Sequence, residues 1–311
     1  MGTPDFAVAP LKKLVEGGYN IVGVITMPDK PIGRHQNELS ASPVKKYALE
    51  QGLKILQPAK LKDPDFIEEL RTLQADLQIV VAFRMLPEVV WAMPKLGTFN
   101  LHAALLPQYR GAAPINWAII NGDTQTGITT FFLDHDIDTG NIIQRVPVPI
   151  LDTDNAEDVH DKLMVLGSDL VIETVDNIIA DNIHPIPQSA IETNEPLRPA
   201  PKIFKETCRI DWNKSVKSTY DFIRGLSPYP AAWTEITVNN KTSVLKIYAT
   251  SKEFATVEAP VGRILTDGKS YLKVAQADGY QNILTLQMAG KKRMQVAAVS
   301  YTHLRAHETL S

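Results

Sequence analysis

Leu77-Gln78-Ile79-Val80-Val81-Ala82 is an almost unbroken apolar run of strand length. A run without polar alternation reads as a parallel β-strand covered on both faces. Ile21-Val22-Gly23-Val24-Ile25 upstream and Gly97 to Leu101 downstream read the same way. Helical spacing fills the intervals, over Phe6 to Glu16, Ser42 to Gln51 and Pro64 to Leu73, with Ser42-Pro43 as N-cap and N1 proline. Strands alternating with helices predict an α/β fold, a doubly wound and mostly parallel sheet whose ligands lie beyond the carboxyl ends of its strands. Met1-Gly2-Thr3-Pro4-Asp5-Phe6 reads as a turn into a helix with no strand before it, so the first strand is expected to be truncated and the chain poorly stable.

Further along, Ala156 to Ala180 predicts a long helix with Val159, Leu163, Leu166 and Leu170 on one stripe. A proline-rich stretch from Pro185 to Pro201 reads as a linker. A helix near Ser215 to Arg224 then precedes strand-like runs at Trp233–Val238, Val244–Ala249, Gly262–Leu265, Tyr271–Val274 and Ile283–Met288, separated by turn signals. The expected organisation is a catalytic domain over 1–184, a linker over 185–205 and a small OB-like β-barrel over 206–299. Residues 300–311 match neither pattern and are expected to be a non-native tail.

The composition, 44% apolar and 22% charged, excludes extensive disorder, and no apolar run reaches the length of a membrane span. A lone Cys208 rules out an internal disulfide and fits a cytoplasmic setting. Charge is divided unevenly, with a net −10 over residues 1–200 and +7 over 201–300. A basic module on an acidic body suits a polyanionic partner, although a solvated lysine-rich surface explains the charge equally well. No Walker or GxGxxG loop is present, so a nucleotide-cofactor reading lacks its main feature.

Asn100 and His102 close one strand-like run, and Asp138 follows another, Ile128 to Leu133. Asn and His two apart on an extended segment point to the same side. An amide donor, an imidazole and a carboxylate at strand ends can hold an oxyanion and move protons, as acyl transfer requires. Alone, the triplet equally fits a structural histidine beside a turn asparagine. Asp134-His135-Asp136-Ile137-Asp138 is dense in ligating side chains, but no second cluster accompanies it, and no metal is expected.

The flanking residues narrow these options. Gly97-Thr98-Phe99-Asn100-Leu101-His102, Leu105-Leu106-Pro107, Arg110-Gly111-Ala112-Ala113-Pro114-Ile115 and Asp138-Thr139-Gly140 resemble, in order and spacing, the 10-formyltetrahydrofolate-dependent formyltransferases. Pro28 to Arg34, Ser42-Pro43-Val44-Lys45, Arg209-Ile210-Asp211-Trp212, Pro228 to Trp233 and Ala289-Gly290-Lys291-Lys292 extend the resemblance over nearly the whole chain. It is strongest to the branch whose acceptor is initiator methionyl-tRNA. The resemblance implies a Rossmann-like domain with Asn100, His102 and Asp138 as the catalytic set. It places the folate donor at Phe83, Arg84, Met85, Leu86, Leu105, Leu106, Pro107 and Arg110. It implies tRNA contacts from the Pro28 to Ser42 loop, through Lys30 and Arg34, while Lys205, Lys291 and Lys292 are candidate phosphate contacts in the basic domain.

Two departures stand out: Ala104 where the family often has serine, and His35-Gln36-Asn37-Glu38 where it often has a basic loop. The first spares catalysis, and the second weakens the loop's charge. Formyl transfer to a small amine and an inactive RNA-binding homologue remain the competing expectations, and a monomer is expected.

Overall fold

The computed structural model describes residues 1–32, 38–193, 195–238 and 241–296. The first elements are α1 (Asp5–Glu16), β1 (Val24–Ile25), β2 (Lys30–Ile32), β3 (Glu38–Ser40), α2 (Pro43–Glu50), β4 (Ile55–Leu56) and α3 (Pro64–Thr72). They are followed by β5 (Gln78–Val81), α4 (Glu88–Trp91), β6 (Thr98–His102), α5 (Pro114–Ile120), β7 (Gln125–Phe132), β8 (Ile142–Pro149) and α6 (Ala156–Ile179). The remainder comprises α7 (Val216–Gly225), β9 (Ala232–Val238), β10 (Lys241–Phe254), β11 (Ile264–Thr266), β12 (Leu272–Gln276), β13 (Gly279–Met288) and β14 (Met294–Gln295). Arg34 and the 300–311 tail lie outside the described residues. The chain divides into two compact units, one of residues 1–111, 126–148 and 160–199, the other of 112–125, 149–159 and 200–311.

In the first unit β1 pairs in parallel with β4 and β5 with β6, while β6 meets β7 antiparallel on a path β5-β6-β7-β8. Met1 and Gly2 run between β1 and β5. The Met1 amine donates to the Ile79 carbonyl at 2.7 Å, the Val81 N–H to the Met1 carbonyl at 2.9 Å, and the Gly2 N–H to the Ile25 carbonyl at 3.0 Å. This single parallel step occupies the place where the sequence calls for the first strand, and an apolar cleft lined by Leu14, Ile21, Val24, Leu70, Leu77 and Val81 flanks it. Ile25, Leu56, Phe66, Leu70, Val80, Leu86 and Val90 pack into one core cluster. Ser42 caps α2 by accepting the Lys45 N–H at 3.1 Å, and Asp63 caps α3 through the Asp65 N–H at 3.0 Å, as expected for short polar residues ahead of a proline.

The second unit holds a six-stranded antiparallel sheet, ordered β11-β12-β13-β10-β9 with β14 beside β13. Register shifts around Ala249 break the β10–β13 ladder, and bulges of this kind bend the strand. The expected OB-like barrel is thus a curled half-barrel sheet. Trp212, Ile223, Leu226, Ile236, Leu245, Ile247, Ile283 and Leu286 form its core, with α7 packed against β10 and β13.

β8 escaped the sequence reading because Gln144, Arg145, Pro147 and Pro149 break up its apolar residues. Its burial nonetheless places Ile142 and Val148 inside.

Candidate active site

Asn100 lies opposite Val80 of β5 and Phe131 of β7, and His102 opposite Thr129. The two-residue spacing on β6 sends both side chains to one face. His102 is buried, with its ring edge-on to Phe131 at a centroid distance of 6.4 Å. Its Nε2 is 2.9 Å from the Tyr109 carbonyl, which can only accept, so this nitrogen carries the hydrogen. Nδ1 is left facing Asp138 Oδ2 across 3.8 Å. That distance exceeds a hydrogen bond and leaves Nδ1 available to a substrate atom. Asn100 Oδ1 is buried with no partner. Buried amide atoms are rarely left so, and a substrate that bonds this amide removes the deficit.

Two loops frame these groups. The first, after β6, is pinned by Thr129, whose hydroxyl donates to the Ala104 carbonyl at 2.7 Å and accepts the Leu106 N–H at 3.2 Å. It then turns at Tyr109, with φ +60°, so that the carbonyl of Tyr109 meets His102. The Tyr109 N–H donates to the Arg198 carbonyl at 2.8 Å. Gly111, at φ +127°, donates its N–H to Asp138 Oδ2 at 2.9 Å. The second loop carries Asp138 at φ +55°, left-handed backbone that non-glycine residues seldom adopt outside functional or constrained sites. Gly140 closes it. A Cβ there would lie 1.7 Å from the Phe132 carbonyl oxygen, so only glycine fits.

The remaining expected residues fall in different surroundings. Leu86, Leu106 and Pro107 are buried, while Phe83, Leu105 and Arg110 are half-buried and Met85 is exposed. Met85 and Leu86 line an apolar surface cleft with Leu61, Pro87 and Val89. The Arg84 guanidinium lies 5.6 Å from the Phe83 ring and donates to the carbonyls of Pro58 and Ala59, so it braces a neighbouring loop. Burial lowers its pKa. Lys30, Lys205, Lys291 and Lys292 are all exposed, and Lys205 stands 5.8 Å from the Trp233 ring. Arg34 lies outside the described residues. Among the described residues no group of three or more His, Cys, Asp or Glu side chains could hold a metal ion, and no helix is long and apolar enough to cross a membrane.

The sequence reading missed Tyr109, Gly111 and Gln188. Tyr109 and Gly111 act through backbone atoms, which leave no side-chain signature. Gln188 lies in the proline-rich stretch and donates from Nε2 to the carbonyls of Asp138 at 2.8 Å and Gly140 at 2.9 Å. Its Oε1 accepts from Arg110 Nε at 3.0 Å and from an Arg110 Nη at 2.6 Å.

Residues 1–175 match the formyl transferase family model, and residues 202–302 match the formyl transferase C-terminal domain. A methionyl-tRNA formyltransferase from Phocaeicola vulgatus is 73% identical over 96% of this chain and 92% of its own length. The Bacteroides thetaiotaomicron methionyl-tRNA formyltransferase is 66% identical over 95% of this chain and 92% of its own. Among solved structures, an N-formyltransferase from Helicobacter canadensis, crystallised with folinic acid and dTDP-3-aminofucose, superposes with a TM-score of 0.63. It covers 94% of this chain and 97% of its own at 19% identity, a likeness of fold alone. With both domain models matched and such identity along almost its full length, the chain belongs to the methionyl-tRNA formyltransferase family.

Proposed function

We propose that this protein transfers the formyl group of 10-formyltetrahydrofolate to the α-amino group of methionine carried on initiator tRNA. The observation that carries the reading is His102 Nδ1 facing Asp138 across 3.8 Å, beside an unpartnered Asn100 amide oxygen, in a chain of this family. The chemistry requires a new C–N bond to the methionine nitrogen and loss of the bond from the formyl carbon to the folate nitrogen. As the amine attacks, negative charge develops on the formyl oxygen. Asn100 donates to it through its Nδ2–H, its unpartnered Oδ1 being open to an N–H of the attacking amine, and His102 donates to it from Nδ1 whenever the ring carries a second proton there. Donors set in advance for such an oxyanion are worth about 10²–10³ in rate. The Tyr109 carbonyl fixes the imidazole by holding Nε2–H. Asp138, steadied by the Gly111 N–H, receives the proton that the amine sheds and returns it to the departing folate nitrogen.

The apolar cleft at Met85 and Leu86 suits the donor's aromatic ring system, with Phe83 on the same segment after β5 and Leu105, Pro107 and Arg110 on the loop after β6 as further donor contacts. Exposed Lys30, Lys205, Lys291 and Lys292 suit tRNA phosphates. Arg34 is assigned to the tRNA by the family resemblance. The protein is proposed to act as a monomer in the cytoplasm.

Incubation with donor labelled in the formyl group, and with methionyl initiator tRNA or small amines as acceptors, tests this reading. Label is expected on the tRNA. Label on an amino sugar or a glycinamide ribonucleotide in its place would overturn the acceptor assignment.

A further inference from the structure

We propose that Gln188 is a positioning residue for formyl transfer, holding Asp138 opposite His102 while Arg110 anchors it from the other side. The proposal rests on the assignment of Asp138 to the reaction. Gln188 is 5% exposed, and four hydrogen bonds occupy both ends of its amide. The two ends do opposite work. Nε2 has two N–H donors, and both are spent on the carbonyls of Asp138 and Gly140, which bracket the turn. Oε1 takes the fork of Arg110, a donor-only group.

That turn needs outside support. Asp138 sits at φ +55°, and a left-handed non-glycine residue persists only where its surroundings over-determine it. The Gln188 amide supplies that support from within a 3-10 turn at Gln188–Ala190, in a segment tied to the same unit by the pairing of Ile186 with Ile142. The connections also close on themselves. Arg110 grips Gln188, the next residue Gly111 grips Asp138 Oδ2 at 2.9 Å, and Gln188 grips the backbone of Asp138. The carboxylate is therefore fixed at its head by Gly111 and at its root by Gln188. Releasing the root lets Asp138 relax toward ordinary φ, which swings Oδ2 away from His102 Nδ1. A misplacement of about 1 Å between reacting groups costs on the order of 10²-fold in rate.

The test is a double-mutant cycle of Gln188→Met and Asp138→Asn in the full chain. It is read by single-turnover formyl transfer from 10-formyltetrahydrofolate to methionyl initiator tRNA, with the affinity for each substrate measured separately. Gln188→Met is expected to slow transfer about 10–100-fold, while both affinities stay within about threefold of the parent. In the Asp138→Asn background the same change is expected to cost less than about threefold, because the group it positions is already lost. Losses that multiply in full, or a Gln188→Met variant that keeps the parental rate, would overturn the proposal. An Asp138→Asn variant at parental rate would instead remove the assignment on which the proposal rests. Should Gln188→Met not fold, Gln188→Glu takes its place in the cycle. That variant keeps an acceptor for Arg110 and sets a carboxylate against two carbonyls, so the same loss is expected, and an undiminished rate would overturn the proposal.

Discussion

Asn100 and His102 were legible in the sequence because an i, i+2 spacing on an extended run fixes a common face, and the described strand Thr98–His102 has that geometry. Asp138 was legible only through its flanking residues, since its approach to His102 depends on a backbone turn at φ +55°. The groups that build the turn gave no signal. Gly111 and Tyr109 use main-chain atoms, and Gln188 lies 78 residues from Arg110 in a proline-rich stretch that reads as a linker. Two predictions belong at this scale. Asn100→Ala is expected to lower kcat about 10²–10³-fold with KM little changed, the effect of removing an oxyanion donor; steady-state kinetics over both substrates checks it. Gly140→Ala is expected to cost more than about 2 kcal/mol of stability, because the added methyl meets the Phe132 carbonyl oxygen at 1.7 Å; urea unfolding measures it.

The helices were the most legible elements. Ser42-Pro43 announced α2 with its cap, and the stripe of Val159, Leu163, Leu166 and Leu170 announced α6; Val159, Leu163 and Leu170 are buried, whereas Leu166 is 40% exposed. Among short or polar elements β4 and β8 were not readable, because their definition comes from pairing partners and not from local pattern, whereas the apolar run Ile21 to Ile25 marked a strand of which the two-residue β1 forms. In the second unit α7 illustrates how a helix is fixed after it forms. Arg224 is buried and donates to the Asp221 carboxylate at 2.8 Å and to the carbonyls of Leu151 at 3.0 Å and Asp154 at 2.7 Å. This guanidinium satisfies backbone acceptors that nothing apolar can serve. Arg224→Met is expected to destabilise the second unit by about 3 kcal/mol, since a partly paired carboxylate stays behind in the interior; calorimetry resolving that unit's transition tests the claim.

Across the molecule, charge is the property that links sequence to partner. The net +7 over residues 201–300 includes Lys205, Lys291 and Lys292, all exposed. Replacing all three by alanine is expected to raise KM for tRNA and to flatten its dependence on salt by about one unit of slope for each phosphate no longer neutralised; KM measured across a salt series decides this. Asp152 is one contributor to acid behaviour, beside Asp29, Glu253 and Asp267, whose carboxyls are also held low by hydrogen bonds. The hydrogen bond of Asp152 to the Lys252 ammonium holds its carboxyl below the ordinary carboxylate range. A carboxyl depressed in the folded state contributes stability that is present above its unfolded pKa, near 4, and is lost as pH falls through the lower folded value. Lys252→Met is therefore expected to shrink the stability difference between neutral and strongly acidic pH; denaturant midpoints at the two pH values show whether it does. The Asn100, His102 and Asp138 site is expected to move a formyl group to the amine of tRNA-borne methionine. Single-turnover transfer from 10-formyltetrahydrofolate to methionyl initiator tRNA tests it most directly, run side by side with Asp138→Asn. Formylated tRNA is expected from the parent, with a rate lowered at least about 10²-fold in the variant. Equal rates for the two proteins would contradict it.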